Sequence, residues 1–212
     1  MLFEEIAGIK SRFQEKIALY GKGVTVMIAV KAILRKIFGI GWQKYYLMSR
    51  SLKDVCPPSE RSDIEIRELT LSDYESELWK DFLTDKKRVL YEARFKDSYA
   101  HAYGAFIDGT LAYSTWILHE KVIFSETETL LQSSDCALLL DTYCHPRFRG
   151  CGIHNYMNQW CLCKIKLCGM KRAYVIVLSY NRPAVKTQLK CGMEVEKTFY
   201  SFRVYKKKII KL

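Results

Sequence analysis

Apolar residues recur at helical spacing near the N-terminus, in the segment 24–40. The stripe consists of Val26, Val30, Ile33, Ile37 and Ile40. Three basic residues interrupt the apolar run, and a helix that crosses a membrane needs roughly 20 mostly apolar residues, so we expect no transmembrane helix here. The pattern predicts an amphipathic helix with three settings open to it: packing on the main domain, a membrane interface with Trp42, Tyr45 and Tyr46 at the headgroup level, or contact with a partner protein.

The pattern changes at residues 56–62, where Pro57 and Pro58 stand among polar residues. Consecutive prolines stop a helix and suit a linker. We therefore divide the chain into a helical N-terminal extension with its linker, residues 1–62, and a main domain, residues 63–212. The extension is expected to hold two or three helices.

The main domain begins with strict alternation over 64–69, which predicts a strand. Thr70 can cap a helical stretch that runs to about residue 82, and a second helix is predicted over 87–95. Strand-like runs at 100–107 and 111–118 are joined by Asp108-Gly109-Thr110, and Asp-Gly in this setting is a strong hairpin signal. The polar segment 125–135 predicts a loop or a short helix.

The second half alternates strands with helices. Strands are predicted at 137–144, 173–178 and 193–205, and helices at 153–167 and 183–189, the latter opened by Asn181. Gly169 suits the end of the longer helix. The order β-α-α-β-β-β-α-β-α-β is that of an α/β (mixed α+β) chain with hairpins early and crossover helices late.

Charge is concentrated at the two ends of the 212-residue chain, which carries 34 basic and 23 acidic residues for a net +11. Residues 1–62 hold 11 basic and 5 acidic residues, and residues 197–212 hold six basic residues and no acid. A nucleic-acid-binding domain usually carries its excess as a patch on the folded body, so a nucleic-acid partner is not expected. Basic ends suit an anionic membrane or a phosphorylated ligand equally well.

Seven of the eight cysteines fall between residues 136 and 191, in segments that favour core strand and helix. Glu4 and Glu5 occupy what would be the positive region of a signal peptide, and no apolar region with a small-residue cleavage site follows. Free thiols in a core indicate a reducing compartment. We expect a cytoplasmic protein, with membrane association left open.

The segment that carries chemistry is the strand at 137–144, the turn after it and the helix from Ile153. Gly150 and Gly152 allow close approach of the backbone to a phosphate, and Arg147 and Arg149 add positive charge. Amides of such a turn and of the helix N-terminus favour an anion. The turn lacks the Gly-Lys-Ser/Thr ending of a nucleotide P-loop and is not a dinucleotide fingerprint.

The sequence Arg147-Phe-Arg-Gly150-Cys-Gly152 resembles the R/Q-x-x-G-x-G/A motif of the GCN5-related N-acetyltransferase (GNAT) superfamily. Asn181-Arg-Pro-Ala184 and Lys190-Cys-Gly192-Met193 are similar to its N-x-x-A…K-x-G-F segment. The resemblance covers about residues 63–205. It implies the GNAT fold: a central, mostly antiparallel sheet with a splayed parallel pair and flanking helices, here with the helical N-terminal extension.

The resemblance also implies acetyl-CoA as the donor and the residues that would bind it. Backbone amides of Arg149, Gly150, Cys151, Gly152, Ile153 and His154 would hold the pyrophosphate. The strand end from Thr142 to Cys144 would pair with the pantetheine arm, Asn181 would hydrogen-bond the same arm, and Arg147 would add charge. A backbone N–H near Cys144 would stabilise the oxyanion, a contribution on the order of 3 kcal/mol.

Two departures from the family pattern concern the proton-transfer groups. The position of the frequent tyrosine acid holds Gln188, which cannot act as an acid at neutral pH. The strand before the loop lacks the frequent glutamate and offers Asp141, either as a base with a raised pKa or as a structural carboxylate. Tyr143 and Tyr180 are substitutes for the missing acid, and solvent could also protonate the thiolate.

No metal site is expected, because His154, Cys161 and Cys168 lie about 10 Å apart along a helix and cannot share one ion. These cysteines are predicted to be small core residues. The leading hypothesis is an acetyl-CoA-dependent N-acetyltransferase acting on a primary amine of a small molecule, with an amino sugar or an envelope precursor as a guess. The alternatives are a non-catalytic acyl-CoA-binding module and a membrane-surface adaptor, with inner-membrane contact through residues 1–62. The oligomeric state is open.

Overall fold

The protein was analysed as a computed structural model that describes residues 14, 16–18, 20–125, 128–204 and 207–211. The chain forms two compact units that do not follow chain order. The terminal unit comprises Met1–Met48, Val177–Leu189 and Glu194–Leu212, and the central unit comprises Ser49–Ile176 and Lys190–Met193. The predictions of helix and strand that fall on residues 1–13 and 205–206 concern positions outside the described residues.

The terminal unit contains helix α1 (Lys22–Phe38), most of strand β1 (Ile40–Ser51), most of helix α4 (Arg182–Lys190) and the antiparallel strands β7 (Glu194–Val204) and β8 (Lys207–Lys211). Gly39 ends α1 in the left-handed region at φ 65°. The Tyr45 ring of β1 stacks on Phe199 of β7 with centroids 5.3 Å apart.

The expectation of two or three helices before the linker was wrong for residues 40–51, which form β1. Trp42, Tyr45 and Tyr46 belong to this strand and not to the end of a helix. Aromatic residues fit a pleated surface well, and Gly39 separates them from the helical apolar stripe.

Five strands belong to the central unit in the order β2–β3–β4–β5–β6. They are β2 (Glu65–Glu68), β3 (Ala100–Ile107), β4 (Thr110–Ser125), β5 (Glu128–Cys144) and β6 (Arg172–Leu178), which ends in the terminal unit. The first three pairings are antiparallel and β5 pairs with β6 in parallel. The expected fold class, a mixed α/β protein with a mostly antiparallel sheet and one parallel pair, is confirmed.

Helices α2 (Asp85–Arg94) and α3 (Ile153–Leu167) flank the central sheet, with predicted bounds that are nearly or fully matched. The hairpin turn is confirmed as well, because Asp108 and Gly109 both adopt positive φ, at 48° and 70°. Ile153 and Met157 of α3 pack on Ala105 and Tyr113 of the sheet.

Two predictions in the central unit were wrong. Residues 125–135 are not a loop or short helix: apart from 126–127, which the structure does not describe, they extend β4 and β5 into a long ribbon. The stretch 70–82 is not a continuous helix. It is a 3-10 turn, Leu71–Tyr74, followed by irregular turns, although Thr70 and Asp73 do form the capping box expected of a helix start.

Candidate functional site

The parallel strands β5 and β6 pair over only part of their length. The ladder joins Cys136 through Leu139 to Arg172 through Val175 and, within the described residues, stops there. Just beyond, the four residues of β5 from Leu140 to Tyr143 lie opposite only three residues of β4, from Ser114 to Trp116, which is a β-bulge. The end of β5 therefore has backbone groups that the parallel neighbour does not occupy.

The loop after β5 is a tight, glycine-dependent turn. Pro146–Phe148 forms a 3-10 turn capped by His145, whose Nδ1 accepts from the Arg147 amide at 3.3 Å. Gly150 and Gly152 have φ of 87° and 75°, in the left-handed region that side chains disfavour. A Cβ at Gly150 would meet no atom within 4 Å, so the loop is open on that side.

Helix α3 starts directly after this loop, with Gly152 at its N-cap and no side-chain cap. The first amides of a helix have no intrahelical acceptor and point outward from its N-terminus. Of the amides predicted to hold a pyrophosphate, that of Arg149 donates to the Pro146 carbonyl at 3.3 Å. Those of residues 150–154 belong to the open loop and the first helical turn, which fits an anion.

The strand-end residues are placed beside this loop. The Arg149 guanidinium folds back and its Nε donates to the Cys144 carbonyl at 3.1 Å. The Thr142 hydroxyl lies 2.9 Å from that of Thr115 on β4. Burial raises the pKa of the Cys144 thiol to about 11, so this cysteine is protonated at neutral pH and not a nucleophile.

Arg61 is a loop-facing cation that the sequence did not indicate. Its Nη1 donates to the Cys151 carbonyl at 2.9 Å, and its guanidinium lies 5.8 Å from the centre of the Tyr156 ring on α3. The same guanidinium pairs with Asp63 in a two-bond arrangement. Arg61 comes from the Pro-containing linker, where no periodicity fixes the direction of a side chain, so only its charge was visible beforehand.

Asp141 occupies the bulge with φ 47° and pairs with Arg94 at the end of α2. The Arg94 side chain is 11% exposed and that of Asp141 is 32% exposed. This ion pair fits the interpretation of Asp141 as a structural carboxylate. Its partner is the Arg94 guanidinium and not a set of backbone amides. The Asp141 side chain thus remains partly accessible to solvent.

Lys87, on the first turns of α2, is a second residue that sequence reasoning missed. Its Nζ lies 3.2 Å from the centre of the Phe82 ring and 6.0 Å from that of Tyr91. Burial lowers the pKa of this ammonium to about 8, and the charge of Asp141 offsets part of that effect. A lysine with such a pKa can exchange a proton near neutral pH.

The surroundings of Lys87 are aromatic. Tyr143, at the end of β5, packs on Phe82 with centroids 4.3 Å apart and on Trp79 at 5.3 Å. Trp79 and Trp116 are fully buried, as expected of core residues. The structure therefore brings Asp141, Tyr143 and Lys87 into one neighbourhood at the bulge.

A cleft of about 210 Å³ adjoins this neighbourhood on the sheet. It is lined by Arg94, Asp97, Trp116, Lys121, Gln132 and Leu140, among others. The Trp116 indole is buried, and its ring lies 5.0 Å from that of Tyr91. The cleft therefore combines apolar walls with both signs of charge.

Tyr180, Asn181 and Gln188 belong to the terminal unit. The side-chain Oδ1 of Asn181 accepts from the Ala184 amide at 3.3 Å and so caps α4, as its position predicted. Burial raises the pKa of Tyr180, whose ring lies 5.9 Å from that of Tyr20. Gln188 is 3% exposed.

The cysteines show no pattern of metal ligation. Among the described residues, no group of three or more His, Cys, Asp and Glu side chains is arranged to hold a metal ion. The expectation that Cys168 is a core residue was wrong, because it is exposed at the end of α3, whereas Cys161 is buried as expected. None of the helices in the described ranges is long and apolar enough to cross a bilayer.

Comparison with known proteins matches the chain in structure and not in sequence. No protein-family model matches it, and no curated protein is similar to it in sequence. A Drosophila protein of known structure is similar over 86% of this chain at 15% identity and a TM-score of 0.59. The chain spans 57% of that protein's length.

Two further similar structures are acetyltransferases. One is a GCN5-related glucosamine N-acetyltransferase region of a fungal multi-domain protein, with a TM-score of 0.57 at 13% identity, covering 84% of this chain and 22% of that one. The other is an aminoglycoside 6'-N-acetyltransferase from Acinetobacter baumannii, with a TM-score of 0.51 at 16% identity, covering 63% of this chain and 93% of that one.

Proposed function

We propose, from the premise that this chain has the fold of the GCN5-related N-acetyltransferases, that it transfers an acetyl group from acetyl-CoA to a primary amine. The observation that carries the proposal is the bulged end of β5, which extends beyond its ladder with β6 and leads into the open glycine loop at the N-terminus of α3. Extended backbone followed by outward-pointing amides suits a ligand with an amide-containing arm and a pyrophosphate.

The loop supplies the donor contacts. Amides of residues 150–154 would bind the pyrophosphate, and the absence of side chains at Gly150 and Gly152 lets it come close. Arg147, Arg149 and Arg61 would add positive charge around it. Bound there, acetyl-CoA would supply an activated thioester carbonyl, and the part of β5 beyond its ladder with β6 would orient this carbonyl toward the bulge.

The bulge supplies the reaction chemistry. A backbone N–H beside it would donate to the carbonyl oxygen as negative charge develops there. Lys87 in its neutral form would take a proton from the incoming ammonium, because its pKa of about 8 makes that form accessible at neutral pH. Asp141 would orient the amine, and Tyr143, packed at the strand end, would return a proton to the thiolate.

The proposed acceptor is a small amine bound in the cleft beside Arg94 and Asp97. Amino sugars are a reasonable class to test, since two proteins with this fold are described as acting on glucosamine and on an aminoglycoside. A non-catalytic acyl-CoA-binding module is the second candidate, and it is favoured by Gln188 at the position where the family often has its tyrosine acid.

The donor is tested by thermal denaturation of the full chain with and without acetyl-CoA. Ligand at 100 times its Kd should stabilise the protein by about 2.7 kcal/mol. Gly150→Ala should abolish this shift, because it strains a positive-φ position and places a methyl group toward the ligand. Gly169→Ala is the matched control, with φ 83°, open space around its Cβ and a place at the far end of α3.

The reaction is tested by release of the CoA thiol with a panel of amino sugars, polyamines and amino acids. Acetyl-CoA binding together with amine-dependent thiol release supports the transferase. Binding without release across the panel supports the non-catalytic module. An unchanged melting temperature at saturating acetyl-CoA contradicts both.

A further inference from the structure

The whole net charge of the protein resides in the terminal unit. That unit contains 16 basic and 5 acidic residues, whereas the central unit contains 18 of each. The basic N-terminal segment and the basic C-terminal strands, which are far apart in sequence, thus belong to one compact body. The central unit, which holds the glycine loop, is neutral.

The apolar stripe of α1 is exposed and not packed. Val26, Val30, Ile33 and Ile37 lie at helical spacing with exposed fractions of 56%, 49%, 56% and 66%. The exposed run continues through Phe38 and Ile40 to Trp42 on β1. Large aliphatic side chains at these exposures are unusual on a helix that packs against the rest of its own protein.

Basic residues accompany this stripe without any acidic residue. The sequence of α1 contains four basic residues and no Asp or Glu. Lys31 lies with its Nζ 4.9 Å from the centre of the Trp42 ring, so cation and aromatic face sit together at the end of the stripe. A helix with an exposed apolar face, whose charged residues are all cations, is complementary to an anionic lipid surface.

We propose that the α1 stripe and the basic surface of the terminal unit dock the protein on an anionic phospholipid bilayer, with the helix lying in the interface. The stripe would enter the boundary between headgroups and acyl chains, and the surrounding cations would contact lipid phosphates. This surface belongs to the terminal unit and the glycine loop belongs to the central unit, so the proposal uses other residues than the acetyltransferase proposal and does not depend on that reaction.

The exposed aliphatic groups distinguish this partner from the two other candidates. The phosphates of a nucleic acid would pair with the cations but would leave Ile33 and Ile37 in water. A second copy of this chain would bury the aliphatic groups but would bring two strongly positive surfaces together. Only an anionic amphipathic surface satisfies both features.

The test is co-sedimentation of the full chain with vesicles of phosphatidylcholine alone or with about 30% phosphatidylglycerol. We expect binding to the anionic vesicles only, weakened at high salt. The double variant Ile33→Asn, Ile37→Asn should lower the partition coefficient at least tenfold. Leu167→Asn, a 79% exposed apolar residue on α3 of the central unit, is the control and should bind as the wild type does.

Trp42 gives a second measurement, since it is 41% exposed whereas Trp79 and Trp116 are fully buried. Brominated acyl chains should quench its fluorescence in the wild type, and Trp42→Phe should lose most of the quenching. Equal vesicle binding by the wild type and the double variant overturns the proposal. So does the absence of quenching, binding to RNA in place of vesicles, or a dimer in sedimentation velocity that the double variant abolishes.

Discussion

At the scale of single residues, the chemical properties of the candidate site depend more on the surroundings of its side chains than on their residue types. Lysine is ordinarily a solvated cation, but Lys87 is held over Phe82 and Tyr91, and burial brings its pKa to about 8. Arg61 is an ordinary linker residue until its guanidinium meets the Cys151 carbonyl. Neither property follows from composition or periodicity. The Arg61 contact joins residues 90 positions apart, and the ring under Lys87 belongs to Phe82, which packs on Tyr143 of β5.

Lys87→Met should lower kcat/KM and remove its rise with an apparent pKa near 8, whereas Lys87→Arg should be as inactive as Lys87→Met while keeping the charge.

The pKa of Lys87 is lower in the folded state than in the unfolded state. Between about pH 8 and 10.5 the unfolded chain therefore binds more protons, and the wild type should gain stability relative to Lys87→Met as pH rises. Rate profiles and paired thermal melts at pH 7 and pH 10 measure both effects. An unchanged activity limb in the Met variant would remove Lys87 from the reaction.

Arg61→Gln should weaken acetyl-CoA binding by about three- to tenfold, because a partly exposed cation beside a phosphate contributes a modest charge-assisted bond. Asp63→Asn is the paired variant. It removes the carboxylate that competes for Arg61, so binding should stay equal or become tighter. Isothermal titration with acetyl-CoA distinguishes these outcomes, and equal weakening by both variants would contradict a direct role for Arg61.

At the scale of elements, regular segments with one buried face were predictable and exposed ones were not. Helix α3 was predicted with its observed bounds, since its apolar residues follow one period and Gly169 follows its end. The ribbon over 125–135 was missed because both of its faces meet solvent, as the exposed Leu131 shows, so no alternation marks it as a strand. Strand β1 was missed because residues 40–51 are as rich in apolar and aromatic residues as the helix before them. Composition therefore does not show that the conformation changes from helix to strand at this point.

The Asp141–Arg94 pair joins two elements, the bulge of β5 and the end of α2. Arg94→Met should lower the free energy of unfolding by about 2–4 kcal/mol, because it leaves a partly buried carboxylate without its guanidinium. Asp141→Asn alone should cost less, and the double variant should cost less than the two single changes added together. Denaturant unfolding of the four proteins gives this coupling energy. Strictly additive values would mean that the pair does not stabilise the bulge.

At the scale of the whole molecule, the structure shows which part of the protein carries the net positive charge. The sequence showed two basic ends, and folding places both in the terminal unit while the central unit is neutral. That union could not be predicted, because it depends on β1 and β7 packing together, as in the contact between Tyr45 and Phe199. The loop motif, in contrast, was recognisable because all of its parts are consecutive in sequence.

Such a concentration of like charge should make stability depend on salt. Raising NaCl from about 20 to 200 mM should increase the melting temperature by about 2–4 °C, because screening weakens repulsion within the terminal unit. Sodium chloride and potassium glutamate should act alike if screening is the cause. A melting temperature that falls with salt would mean that favourable ion pairs outweigh this repulsion.

The bulge at Asp141 has a consequence for how the strand end can be altered. It is a single extra residue, so deleting it would restore regular pairing between β4 and β5. The side chains from Thr142 to Cys144 would keep their faces, because Leu140 and Tyr143 already lie opposite Trp116 and Ser114, which are two residues apart on one face of β4. One deletion would thus remove the bulge and the Asp141 carboxylate together while the strand-end side chains stay on their faces, and comparison with Asp141→Asn would separate the effect of the bulge from that of the charge.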